Sequence, residues 1–120
     1  MSELDPEDVS FFVGKTLSVV TISMHQIILI FDDDLTVNCE SPIAHINRLE
    51  MRDEFEFFGN AASVICQLLE RTVEGAKRTP EGSLLLDFSN GETIELTKKE
   101  QGPFFYESYV ITYKGGTIVV

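Results

Sequence analysis

The sequence predicts an α+β domain, mainly an antiparallel sheet of six to eight strands with one principal helix. Three observations carry this expectation. Short runs rich in β-branched residues recur along the chain, separated by turn-forming clusters too brief for crossover helices. Two of the breaks, Asp32-Asp33-Asp34 and Ser89-Asn90-Gly91, have the composition of hairpin turns. One segment, Asn60 to Gly75, carries apolar residues at spacings of three and four instead.

Residues 1–10 read as an acidic, partly ordered lead-in to a single domain spanning 1–120, with a helical turn starting at Asp5-Pro6. Phe11, Phe12 and Val13 anchor it to the core. Thr16 to Ser23 is β-branched and partly alternating, so it reads as a strand. Gln26 to Phe31 and Leu35 to Glu40 are two strands joined by the aspartate triplet. Ser41-Pro42 interrupts, and Ile43 to Leu49 resumes as a strand. Glu50 to Phe58 mixes acids with bulky apolar residues and has no settled period. In the helix, Ala61, Val64, Ile65, Leu68, Leu69 and Val73 form the apolar stripe, with Asn60 as its cap and Gly75 as its end. Ser83 to Phe88 and Glu92 to Thr97 form a second hairpin. Phe104 to Tyr113 alternates as a strand, Lys114-Gly115-Gly116 turns, and Thr117 to Val120 is a last short strand. Ile27 to Val37 also aligns without gaps to Leu84 to Ile94, matching Phe and Thr and most apolar positions. Two copies are too few for a solenoid, and hairpins of this pattern resemble one another even without common origin.

A chain of 120 residues fits one domain, with a core large enough to need neither disulfides nor a metal. Its formal net charge of -11 argues against bare nucleic acid or an anionic membrane as partner. Basic proteins or cations remain the charged partners such a surface suits. The acidity is uneven: residues 1–60 hold twelve acids and three bases, a charge of -9, and residues 61–120 hold eight and six, a charge of -2. The acidic N-terminus is unlike a secretory leader, and no apolar run approaches a membrane span, so a cytoplasmic location is expected. Cys39 and Cys66 stand outside any metal-binding spacing and read as two reduced, semi-buried thiols, although a disulfide between them stays open.

No catalytic set emerges. His25 falls at a turn and His45 beside Ile43 and Ile46, with no Ser or Cys nucleophile placed by a motif near either. Pairing Cys39 with His45 has no support in the local sequence. The aspartate triplet lacks the central Gly and terminal Glu of a calcium loop. Phosphate-binding loops and zinc motifs are absent from the sequence, so no cofactor is expected. Asp53-Glu54-Phe55-Glu56-Phe57-Phe58 stands out more. Interleaved acids and aromatics suit a basic protein partner, carboxylates pairing with Lys or Arg while rings supply buried area. The competing reading is that Phe55, Phe57 and Phe58 dock this segment under the helix that starts at Asn60.

The order of elements, with Ile28–Val37, Leu84–Ile94, Pro103 to Tyr109 and Gly115-Gly116-Thr117, resembles a group of small bacterial proteins that includes immunity proteins of polymorphic toxin and contact-dependent growth inhibition systems. The resemblance covers about half the chain and transfers no catalytic residue. It implies a non-enzymatic protein that binds a cognate toxin domain, such as a basic C-terminal nuclease, and covers its active-site or substrate surface. Combined with the charge distribution, it makes Asp32, Asp33, Asp34, Asp53, Glu54 and Glu56 the expected contact acids, with Phe55 or Phe57 as an anchor. The alternative is a non-catalytic protein-binding module unrelated to toxins, using a sheet face or edge. The apolar end strand Thr117–Val120 leaves a homodimer open.

Overall fold

Alternating burial along short β-branched segments builds two antiparallel sheets of five strands each. A computed structural model describes residues 8–55, 58–98 and 108–120. Leu17–Ile22 (β1), Ile27–Phe31 (β2) and Thr36–Cys39 (β3) form a meander. Ile43–Ile46 (β4) and Arg52–Phe55 (β5) form a hairpin, followed by the helix Phe58–Cys66 (α1). Val73–Arg78 (β6), Leu84–Phe88 (β7) and Thr93–Leu96 (β8) make a second meander, and Tyr109–Tyr113 (β9) and Gly116–Val119 (β10) a final hairpin.

The strand orders are β1-β2-β3-β9-β10 in the first sheet and β5-β4-β8-β7-β6 in the second. Each meander therefore receives the other half's hairpin. The inner faces share one core, to which Leu29, Val37 and Ile111 contribute from the first sheet, and Leu86, Ile94 and Ile43 from the second. Ala61 and Ile65 of α1 close it, with Phe12 from a single 3-10 turn at Ser10–Phe12. Asp8 accepts hydrogen bonds from the Ser10 hydroxyl (2.6 Å) and amide (3.1 Å), which hold its carboxyl below the usual value, the hydroxyl contributing most.

Several backbone hydrogen bonds recur at matching positions in the two halves. Gly14 donates its amide to the Val73 carbonyl at 2.8 Å, and Glu70 donates to Leu17 at 2.8 Å. Lys15 donates to Phe12 and Arg71 to Leu68, both at 3.0 Å; Phe31 donates to Leu35 and Phe88 to Glu92, both at 2.8 Å. Each first strand carries a bulge just after its first residue, between Leu17 and Val19 and between Val73 and Gly75. At the junction, Thr16 and Thr72 form an antiparallel bridge and their hydroxyls share a hydrogen bond at 3.2 Å. The sequence echo between Ile27–Val37 and Leu84–Ile94 thus marks one segment of a repeated architecture, not merely two similar hairpins.

Three expectations need correction. The described residues contain ten strands in two sheets rather than six to eight in one. The extra strands are β5, whose exposed acids hide its period, and β6, which lies where the helix was expected to end. The helix spans Phe58–Cys66, so Asn60 lies within it rather than capping it and Gly75 sits in β6. Leu68 and Val73 continue the apolar spacing and are buried, but from a turn and a strand. Between them Glu70 takes a left-handed φ of 67°, which no helix residue adopts. Finally, Cys39 is buried and Cys66 exposed, both free, so they are not two alike semi-buried thiols.

Candidate protein-binding surface

The β2–β3 turn holds the first three expected contact acids, and its geometry occupies two of them. Asp33 and Asp34 adopt left-handed φ of 59° and 61°, tolerated by aspartate in tight turns. The Asp32 carboxylate accepts the Thr16 amide at 3.0 Å and the Ser18 hydroxyl at 3.5 Å, tying the turn to the start of β1. Asp33 lies 3.7 Å from the Lys15 ammonium. Lys15 and Lys114 approach the Tyr113 ring at 5.5 and 5.3 Å, so bases border this turn. Asp32 is thus a structural acid, Asp33 is partly neutralised, and Asp34 is exposed to solvent.

The β4–β5 hairpin presents a different surface. The Asn47 side-chain oxygen accepts the amides of Leu49 (2.9 Å) and Met51 (3.0 Å), and backbone bonds Glu50 to Asn47 (2.9 Å) and Asn47 to Met51 (3.0 Å) close the loop. Glu50 takes a φ of 63° at its tip. This bonding fixes the loop with two large apolar side chains pointing to water: Leu49 is 80% and Met51 62% exposed. Acids follow along β5, an edge strand. Asp53 and Glu54 are exposed but lie on opposite faces, as the strand's alternation requires. Arg52 reaches the Glu95 carboxylate and lies 3.8 Å from Glu54, so among the described residues Asp53 and Glu50 are the hairpin acids that form no ion pair. Charges on an edge strand also block pairing with other strands, a role that needs no partner.

Phe55 is half-buried and packs against the core, so its ring is not a free anchor. Glu56 and Phe57 lie outside the described residues, as do Asp5-Pro6, Phe105, Tyr106 and Glu107. The exposed apolar pair is Leu49 and Met51, which sequence reasoning passed over; the signal available was two bulky residues flanking Glu50 between Asn47 and Arg52. The aspartate turn belongs to the first sheet and β5 to the second, so the expected acids are divided between the two sheets.

Beneath the hairpin, His45 of β4 is buried, and its Nε2 lies 2.6 Å from the Glu92 carboxylate in the β7–β8 turn. Glu92 also receives the Asn90 amide nitrogen at 3.1 Å. Arg48 covers the same turn: a Cβ on Gly91, whose φ is 85°, would stand 2.7 Å from the Arg48 Cγ. The hairpin is thereby held against the β7–β8 turn. Cys39 does not join His45; its sulfur contacts the Ser41 carbonyl (3.3 Å) and hydroxyl (3.5 Å), and burial pushes the thiol up to about 11. His25 is exposed at the β1–β2 turn. Among the described residues no three His, Cys, Asp or Glu side chains are grouped to hold a metal ion, and no helix is long and apolar enough to cross a membrane.

What this arrangement offers chemically is recognition: two exposed apolar side chains on a braced loop, continued by carboxylates along a strand edge. No family model, curated protein or solved structure matches the chain.

Proposed function

We propose that this protein is an immunity protein that binds and neutralises a cognate toxin domain, with the β4–β5 hairpin as its primary contact. The carrying observation is the hairpin's combination of Leu49 and Met51, exposed on a braced loop, with Glu50, Asp53 and Glu54 beside them. Apolar side chains on a rigid element desolvate at low entropic cost and serve as anchors. Flanking carboxylates steer a basic surface toward them and raise the association rate. A basic nuclease cleft is such a surface, and covering it would block its substrate. The resemblance of element order to immunity proteins, together with the charge of -9 in residues 1–60, supports the same reading. Asp34 is a secondary contact acid on this view, and Asp32 a structural one.

The test is co-expression with the C-terminal domain of any large secreted protein encoded beside this gene. A stable complex is expected. Asp53→Lys with Glu54→Lys should slow association at least tenfold and flatten its salt dependence, while Leu49→Ala with Met51→Ala should speed dissociation. A complex indifferent to all four substitutions would remove this hairpin from the interface. A complex with a different basic protein would favour the module reading.

A further inference from the structure

The repeated architecture supplies an internal control for surface composition, because every outward position of the first sheet has a counterpart in the second. One outward row of the second sheet reads Gly75, Asp87, Thr93, Ile46, Arg52 across its five strands. The next reads Lys77, Leu85, Glu95, Ala44, Glu54. These charges are what a solvated sheet face ordinarily carries, and Arg52 pairs there with Glu95. The corresponding rows of the first sheet are Val19, Ile30, Thr36, Thr112, Thr117 and Thr21, Ile28, Asn38, Val110, Val119. No position in either row is charged, in a chain that is 24% charged. Val19 is 45% and Val119 57% exposed, and Asn38, central in its row, has a buried amide oxygen with no hydrogen-bond partner among the described residues.

We infer that this outer face of the first sheet is the contact surface of a homodimer, packed against the same face of a second copy. Charge selects the occupant. An uncharged face offers no Coulombic preference for a basic partner, and it would bury the charges of an ordinary protein surface unpaired. Against its own copy it buries no charge, and a two-fold operation lays like rows of Val, Ile and Thr together as in a β-sandwich. Five strands about 4.8 Å apart and about 17 Å long give a planar footprint of about 400 Å2 per copy. With side-chain relief the pair buries on the order of 1,000 Å2 in total, near the lower bound for a specific interface. An interface of this size belongs with weak complexes, so a concentration-dependent dimer is expected. Because each copy carries -11, added salt tightens it, opposite to the effect expected on an acid-steered toxin complex.

Sedimentation velocity of the full chain between about 5 and 500 μM tests this. The wild type should pass from monomer to dimer, with the transition moving to lower concentration in 0.5 M salt. Ile30→Asp with Asn38→Glu places the second sheet's own residues on the first sheet's face and should raise the dimer dissociation constant at least 100-fold. Thr117→Arg with Val119→Glu does the same on the edge strand β10 and guards against misfolding of the first pair; circular dichroism checks both. A wild type monomeric at 500 μM overturns the inference. So does a dimer that survives both face variants; a dimer lost only in the β10 variant would point to pairing of β10 edges instead and overturn it too. A monomer whose toxin complex is lost on the face variants would assign the face to the toxin.

Discussion

Exchanging His45 and Glu92 for the residues at the matching positions of the other half tests together the repeat and a buried polar pair that departs from it. His45 corresponds in register to Ile111, and Glu92 corresponds to Leu35; both of those are fully buried. In the second sheet the same two places hold a histidine and a carboxylate at 2.6 Å, with side chains 8% and 14% exposed. His45→Ile alone leaves the Glu92 carboxylate with the Asn90 amide as its remaining side-chain partner. Glu92→Leu alone strands a buried imidazole. Each single change should cost about 2–4 kcal/mol, the range for orphaning one member of a buried polar pair. The double change removes both polar groups and installs a pairing the fold already accommodates, so it should return within about 1 kcal/mol of wild type. With an unfolding entropy of about 2.1 cal/mol/K per residue, 1 kcal/mol moves the melting temperature by about 4 °C in a chain of this size. The singles should melt about 8–16 °C lower and the double within about 4 °C. Urea melts of all four proteins, followed by circular dichroism, give the coupling energy. Additive losses in the double variant would refute both the pairing and the equivalence of the halves.

Other outcomes follow from local geometry. Gly14 and Glu70 occupy matching positions with φ of 88° and 67°, and nothing stands within 4 Å of a Cβ built on Gly14. Glu70→Gly should therefore stabilise by about 0.5–1 kcal/mol and Gly14→Ala destabilise by about 1 kcal/mol, both read from urea midpoints. Native protein at pH 8 should take up one equivalent of iodoacetamide, at Cys66, and two only in denaturant. The Cys39 thiol is raised from 9.0 to about 11, chiefly by burial, so its protonated form is favoured in the fold. That contribution is complete below pH 9 and is lost as pH rises toward 11, up to about 3 kcal/mol, and Cys39→Ala should flatten the alkaline limb of the stability curve. Arg52→Ala removes the base that reaches Glu95 and Glu54 and should raise the association rate with a basic partner a few-fold at low salt.

The hairpins were legible because their chemistry is local. Asn90-Gly91 and the aspartate triplet satisfy turn geometry whatever surrounds them, and the strands beside them alternate. The helix end was not legible, because Leu68 and Val73 reach the same core from a turn and a strand and so preserve a helical spacing past Cys66. A glycine at position 70 would have announced the stop that Glu70 makes silently. Strand β5 was hidden by its position at a sheet edge, where Arg52, Asp53 and Glu54 all face water and no two-residue period survives. Assignment of strands to two sheets depends on pairings between residues far apart, such as Thr36 with Thr112, which periodicity does not encode. The same holds for the candidate surface. Acid content pointed to residues 53–54, but only the hairpin's closure by Asn47 shows Leu49 and Met51 as its exposed apolar part, and only the packing of Phe55 removes that ring as an anchor.

Hydrogen exchange of this protein, free and mixed with the C-terminal domain of any large secreted protein encoded beside its gene, tests the proposed recognition most directly. Strong added protection confined to residues 47–55 is expected, with weaker protection at the aspartate turn, and loss of both with Leu49→Ala and Met51→Ala. Protection centred elsewhere, or no change on mixing at concentrations well above micromolar, would contradict it.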